Sequence, residues 1–141
     1  MPTALITGAS RGIGRRTAER LAANGWNLLL VSRSGEQLEE LATQCRAQGV
    51  EVSCQSLDLT DASSIAAGVA ELLQQGQAPS VLINNAGAAY TGDLLAMPLE
   101  RWQWLLQLNL TSVMQVCAAA VPAMRDNGGG LVINISSHAA R

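Results

Sequence analysis

The sequence predicts an α/β fold, a doubly wound parallel sheet that stops after its fifth strand, on three observations. Short apolar runs alternate with longer stretches of helical period, four of the five runs are almost continuously apolar, and glycine or polar clusters follow the runs. Near-continuous apolar strands are what burial on both faces requires. Composition agrees: 48% of the 141 residues are hydrophobic and only 14% charged, far from the make-up of disordered chains. One compact domain over residues 1–141 is the expectation.

The elements read βαβαβαβαβ. The first strand falls at 3–7 (Thr-Ala-Leu-Ile-Thr), and a helix follows over 12–24, with Gly25 placed to close it at positive φ. The second strand, 27–32 (Asn-Leu-Leu-Leu-Val-Ser), leads through Ser34 as N-cap to a helix over 35–48 closed by Gly49. The third strand, 51–57, precedes Thr60 as N-cap, a helix over 61–75, and Gly76 in the same closing role as Gly25. After the fourth strand, 80–84, comes a long helix over 98–126, with Pro98 suited to its first turn and Pro122 expected to bend or break its last turns. The run Asn127-Gly128-Gly129-Gly130 reads as a turn into the fifth strand, 130–135.

Charge and cysteine usage narrow the function. A formal net charge of −2 without clustered basic residues argues against a nucleic-acid partner. Cys45, Cys54 and Cys117 are odd in number and contain no C-x-x-C, and with the single His138 they supply too few soft ligands for zinc. They read as free thiols of a reducing compartment, and no metal is expected. The N-terminus has no basic segment followed by an apolar one, and no stretch approaches about 20 consecutive apolar residues, so neither a leader nor a membrane partner is expected. A cytoplasmic location follows from these readings.

The first strand runs directly into Thr7-Gly8-Ala9-Ser10-Arg11-Gly12-Ile13-Gly14 and then into a helix. Glycines there let the backbone turn tightly and approach a pyrophosphate, whose charge sits against free N–H groups at the positive helix end. A tight strand-to-helix turn with no ligand is the alternative. The Gly-Lys-Ser/Thr ending of a Walker loop is absent, which disfavours a P-loop nucleotidase. Independently, Gly8, Ser32, Asp58, Asn84 and Ser136 all fall at or just past the carboxyl end of a strand, the edge where open α/β sheets bind ligands.

The spacing T-G-x-x-x-G-x-G, followed in order by Asp58-Leu59, Asn84-Asn85-Ala86-Gly87, Asn109 within Leu108-Asn109-Leu110, and Ile135-Ser136-Ser137, resembles the short-chain dehydrogenase/reductase family. The resemblance covers the whole chain, which is a little over half of a typical catalytic domain of that family. It implies a Rossmann-type sheet of order 3-2-1-4-5 and hydride transfer between a nicotinamide dinucleotide and a small alcohol or carbonyl substrate.

The end of the second strand bears on the choice of dinucleotide, because a carboxylate there would bond a ribose 2′-OH but repel a 2′-phosphate. The residues are Ser32-Arg33-Ser34, with no acid. Arg33, assisted by Arg11, can make charge-assisted bonds to a 2′-phosphate, which favours NADP(H) over NAD(H). A solvated surface arginine is the alternative for each.

The resemblance also implies individual roles. Thr7, Gly8, Ser10, Arg11, Gly12, Ile13 and Gly14 would form the pyrophosphate loop, and Asn85, Ala86 and Gly87 would pack beside the cofactor ribose or serve simply as a turn. Asp58 would bond the adenine amino group beside Leu59, or act as a negative charge favouring the next helix dipole. Asn109 would hold a water in a proton relay, or be a satisfied, helix-bending amide. Ser137, with Ser136 as runner-up, would bond the substrate oxygen; His138 is assigned no role. Proton exchange at that oxygen needs a donor and acceptor, and the resemblance implies a tyrosine about a dozen residues after the serine, with a lysine one helical turn further. Arg141 is reached first, the single tyrosine, Tyr90, lies elsewhere, and the sequence contains no lysine.

The expectation is therefore a fragment or incomplete product, inactive alone, whose fifth strand is an uncovered edge. The alternatives are a non-catalytic dinucleotide-binding module or remnant, and a structural interaction protein that binds no dinucleotide. The resemblance further implies homo-oligomers of the complete protein through the fourth helix and the one after it. The stretch Val113–Ala118 suits such an interface, and core burial accounts for it equally.

Overall fold

The computed structural model describes residues 1–137. Strands β1 (Thr3–Thr7), β2 (Asn27–Ser32), β3 (Val52–Ser56), β4 (Val81–Asn84) and β5 (Leu131–Asn134) form one parallel sheet in the order β3-β2-β1-β4-β5. Helices α1 (Gly12–Ala23), α2 (Gly35–Arg46), α3 (Ile65–Gln74), α4 (Leu99–Leu106) and α5 (Ser112–Asp126) connect them. Residue pairs such as Leu5↔Leu29, Leu30↔Cys54 and Ile83↔Ile133 set the register.

The period-two alternation of the strands sorts their side chains into two layers. Ala4, Ile6, Leu28 and Leu30 pack on one face with Ala18 and Ala22 of α1 and Leu38 and Leu41 of α2. Leu5, Leu29, Val31 and Leu82 pack on the other with Ile65, Val69 and Leu72 of α3 and Val116, Ala120 and Met124 of α5. Both faces of the sheet centre are thus closed, and the polar strand ends are left at one edge.

Several local expectations need correction. Thr60 does not cap α3: its N–H and hydroxyl both turn back to Asp58, Asp61 binds Ser63 in the same way, and the helix starts only at Ile65. Gly25 and Gly49 have φ of +79° and +86° as expected, whereas Gly76 does not adopt positive φ. Pro98 occupies the N-cap of α4 instead of its first turn.

The long helix is not continuous. A π-helical turn, Gln107–Thr111, separates α4 from α5, while Pro122 lies within α5, which continues to Asp126. Val116, Ala120 and Met124 seat that helix on the core at four-residue spacing, and this packing outweighs the one missing N–H donor. The interruption arises at Asn109, whose side-chain amide donates to Leu105 O at 3.0 Å and competes with the helical ladder. By length and composition the helical run Leu99–Asp126 is apolar enough to cross a membrane, a property shared with core helices of soluble proteins.

The fifth strand is uncovered, as expected from its place in the sequence: all four of its residues are exposed, Leu131 at 55%. Among the described residues it pairs only with β4.

Candidate functional site

At the carboxyl edge of the sheet a crevice of about 310 Å³ opens between the loops. Gly8, Ser10, Arg11 and Gly12 supply one wall, and Ser32 and Arg33 flank it. Leu57, Asp58, Leu59 and Thr60 descend from β3; Asn85, Ala86, Gly87 and Ala88 come from the loop after β4. Trp104 and Leu108 close the side formed by the interrupted helix.

The first loop is shaped by contact with the fourth. Gly8 has φ +64°, and a Cβ on it would lie 2.9 Å from Ala86 Cα, so both conformation and space demand glycine. A Cβ on Gly14 would collide with the Gly8 carbonyl and the Asn85 amide, which is how α1 packs so close to the sheet. Thr7 Oγ1 accepts the Asn85 and Ala86 N–H groups, both at 3.1 Å, while Asn85 Nδ2 donates to Thr7 O and Gly8 O at 3.2 and 3.1 Å. Thr7 and Gly14 thus scaffold the crevice from behind, without lining it. Arg11, the N-cap of α1, is extended and provides no side-chain cap, and the first turn carries no acid. First-turn N–H groups have no partner within their own helix, so this end is built to receive an anion.

The second loop is pinned by serines. Ser32 Oγ accepts the Ser34 N–H at 3.2 Å, Ser34 Oγ accepts the Gln37 N–H at 3.3 Å as the expected cap, and Ser56 Oγ donates to Arg33 O at 2.9 Å. The Arg33 side chain stays exposed. Arg15 and Arg16 pair with Glu19, Arg15 also with Glu40, Arg46 with Glu39 and Arg125 with Asp126. Among the described residues neither Arg11 nor Arg33 forms an ion pair, leaving two uncompensated cations at the crevice.

The third loop carries Asp58, whose Oδ1 accepts the Thr60 N–H at 2.9 Å and hydroxyl at 2.7 Å. One carboxylate oxygen is therefore spent on the turn. Leu57 and Leu59 are buried and provide an apolar floor.

Not every expected residue joins the crevice. Ile13 is 62% exposed and does not line it. Asn84 turns inward, donating to Asn134 Oδ1 at 2.9 Å and approaching Cys117 Sγ at 3.5 Å, and so ties β4 to β5 and α5. Asn109 lies outside the lining; its Oδ1 accepts the Ala88 N–H at 3.1 Å and its Nδ2 donates to Ala88 O at 2.9 Å. Ser136 and Ser137 are exposed just past β5 and are not among the lining residues. His138 and Arg141 lie outside the described residues. Of the five strand ends, those at Gly8, Ser32 and Asp58 meet at the crevice, joined by Asn85 one residue past Asn84.

Leu57, Thr60, Ala88, Trp104 and Leu108 line the crevice without having been assigned to it from the sequence. Trp104 and Leu108 are four residues apart, the spacing of one helix face, and this periodicity was the available signal. Arg101 stacks over Trp104 at 4.5 Å from its ring centroid. The three cysteines are free thiols, as expected.

With this geometry in place, the class of the molecule is defined by comparison with known proteins. The sequence pattern of the short chain dehydrogenase family matches residues 2–141, and the chain belongs to that family of oxidoreductases. Among particular relatives, the 3-oxoacyl-[acyl-carrier-protein] reductase FabG of Staphylococcus aureus is 35% identical over 136 residues, covering 96% of this chain and 55% of its own length. A short-chain dehydrogenase from Sphingobium yanoikuyae in complex with NADPH superposes with a TM-score of 0.88 at 40% identity, covering 98% of this chain and 54% of that one. Carveol dehydrogenase from Mycobacterium avium in complex with NAD superposes at 0.87 with 26% identity, covering 96% and 54%. The chain thus spans about half the length of the curated relatives it matches.

Proposed function

We propose that this chain is the dinucleotide-binding portion of an NADP(H)-dependent oxidoreductase acting on a small alcohol or carbonyl compound. One observation carries the cofactor choice: Arg11 and Arg33 line the crevice without ion-pair partners among the described residues, and Ser32-Arg33-Ser34 contains no carboxylate. Solved relatives hold either NADPH or NAD, so family membership leaves that choice to these side chains.

The residues fit the cofactor. Gly8, Ser10, Gly12 and the N-terminus of α1 would take the pyrophosphate; Arg33 and Arg11 the 2′-phosphate; Asp58 and Leu59 the adenine; and Asn85, Ala86 and Gly87 the ribose on the reacting side. When bound, the nicotinamide supplies a hydride donor or acceptor. Ser137 would donate its hydroxyl to the substrate oxygen. Asn109 would act through Ala88, whose backbone it grips from both sides, and would hold a proton-relay water as the family resemblance implies.

The tyrosine and lysine that the family resemblance implies for proton exchange at the substrate oxygen are not found together in these 141 residues: there is no lysine, and Tyr90 sits in the loop after β4 with its hydroxyl close to Gly92. Binding without turnover is therefore expected of these 141 residues alone. The same observation favours a second reading, a non-catalytic dinucleotide-binding module. For the complete protein a cytoplasmic homo-oligomer is proposed, supported by the exposed Trp102, Leu106, Leu110 and Met114 along α4 and α5.

Titration with NADPH and NADH tests the cofactor. NADPH should bind tighter, and Arg33→Ala should weaken NADPH about 10- to 100-fold, the range of a lost charged hydrogen bond, while sparing NADH. Tighter binding of NADH overturns the assignment. NADPH oxidation by a longer product carrying a downstream tyrosine and lysine favours the enzyme; binding with no turnover in that product favours the module.

A further inference from the structure

The π-helical turn holds both sides of the crevice. On one side Asn109 grips Ala88, in the loop after β4. On the other, Gln107 Nε2 donates to Leu59 O at 3.1 Å and to Gln115 Oε1 at 2.9 Å, and Gln115 Nε2 donates to Ala62 O at 3.1 Å. Leu59 and Ala62 belong to the irregular segment between β3 and α3, where the Thr60 and Ser63 N–H groups are spent on Asp58 and Asp61. The two carbonyls that this segment turns toward the helical run are thus held by two glutamine amides in series.

The spacing explains why one turn reaches both loops. Gln107 and Asn109 lie two residues apart, and side chains so placed on a helix point in different directions. Gln115 follows Gln107 by eight residues, about two turns, and extends the same face. Leu59 and Thr60 line the crevice on one side and Ala88 on the other, so displacement of the turn would move both.

We propose that Gln107 and Gln115 are positioning residues that set the crevice width on its adenosine side, by fixing the segment from Leu59 to Ala62 relative to the Ala88 loop. The inference rests on the dinucleotide reading above and assigns to these glutamines a role in how tightly the adenosine half is held. Neither residue lines the crevice, so any effect on binding must pass through Leu59 and its neighbours.

The test replaces Gln107 by methionine, which keeps the length of the side chain and removes both donor bonds. Adenosine 2′,5′-bisphosphate, titrated against the whole chain, should bind about tenfold more weakly, the change produced by about 1.4 kcal/mol. Amide hydrogen exchange of the unliganded variant should quicken over residues 58–62 and stay unchanged in β1 and β2, a pattern that general destabilisation would not produce. Gln115→Met, one link further out, should shift both readouts in the same direction by less and carries the test if Gln107→Met does not fold. Unaltered affinity and exchange in a folded variant overturn the positioning role alone. Failure of the unaltered chain to bind either the bisphosphate or NADPH overturns the dinucleotide reading and this inference with it.

Discussion

Strands β2 and β5 are similar in sequence and opposite in environment. Asn-Leu-Leu-Leu-Val-Ser of β2 is buried at every position, while Leu-Val-Ile-Asn of β5 is exposed at every position. The difference lies in the neighbours: β2 is hydrogen-bonded to β1 and β3 and covered by helices on both faces, whereas among the described residues β5 has only β4. The same contrast runs through the helices. Helices α2 and α3 bury their apolar stripes, but the run from α4 through the π turn into α5 also leaves Trp102, Leu106, Leu110 and Met114 at 41–57% exposure. An apolar run therefore states a capacity for burial, and the surroundings decide whether it is used.

The comparison is broken most directly by truncating one leucine in each strand. Leu30→Ala, at a site with no exposure between Ile6 and Cys54 of the layers around it, should cost about 2–5 kcal/mol in urea unfolding. Leu131→Ala, at 55% exposure, should stay within about 0.5 kcal/mol. Equal losses would show that β5 is covered in solution.

Glycines give a smaller version of the same contrast. Gly14→Ala must push α1 away from Gly8 and Asn85, at a cost of about 1–3 kcal/mol typical of overpacking, and should weaken NADPH binding as well. Gly128→Ala, in the turn before β5, meets no atom within 4 Å and suffers only its φ of +100°; stability should fall with nucleotide affinity intact. Calorimetry with and without NADPH separates the two effects.

The smallest expected effect concerns pH. Burial raises the Cys54 thiol from an ordinary value near 9.0 to about 11. The unfolded thiol then ionises before the folded one, so the Cys54 contribution to stability should be flat below about pH 9 and decline as pH rises from there toward 11. Thiolate at pH 7 should amount to about one part in ten thousand, so iodoacetamide should leave Cys54 unmodified in the native chain. Rapid alkylation at neutral pH would show that the β3 side is more open than its packing indicates.

What could be read from the sequence was local and periodic. The alternation of strands and helices, the Ser34 cap, the turn at Gly25 and the glycine loop at Gly8 follow from spacing and backbone preference, the strand order was implied by the family resemblance, and the structure has all of them. Most of the candidate crevice was legible for the same reason, since strand ends announce themselves by a change from apolar to polar or glycine residues. Trp104, Leu108, Gln107 and Gln115 were not, because their parts depend on which loop a helix face meets after the chain has folded back some 50 residues in sequence from Leu59.

The sequence by itself thus determined the alternation of strands and helices and which glycine and polar residues fall at the strand ends. Only the tertiary structure decided that Asn109 grips Ala88 and that a π turn and not Pro122 interrupts the helix. Propensity and periodicity act within a few residues, whereas burial and side-chain hydrogen bonding depend on partners supplied from elsewhere in the chain.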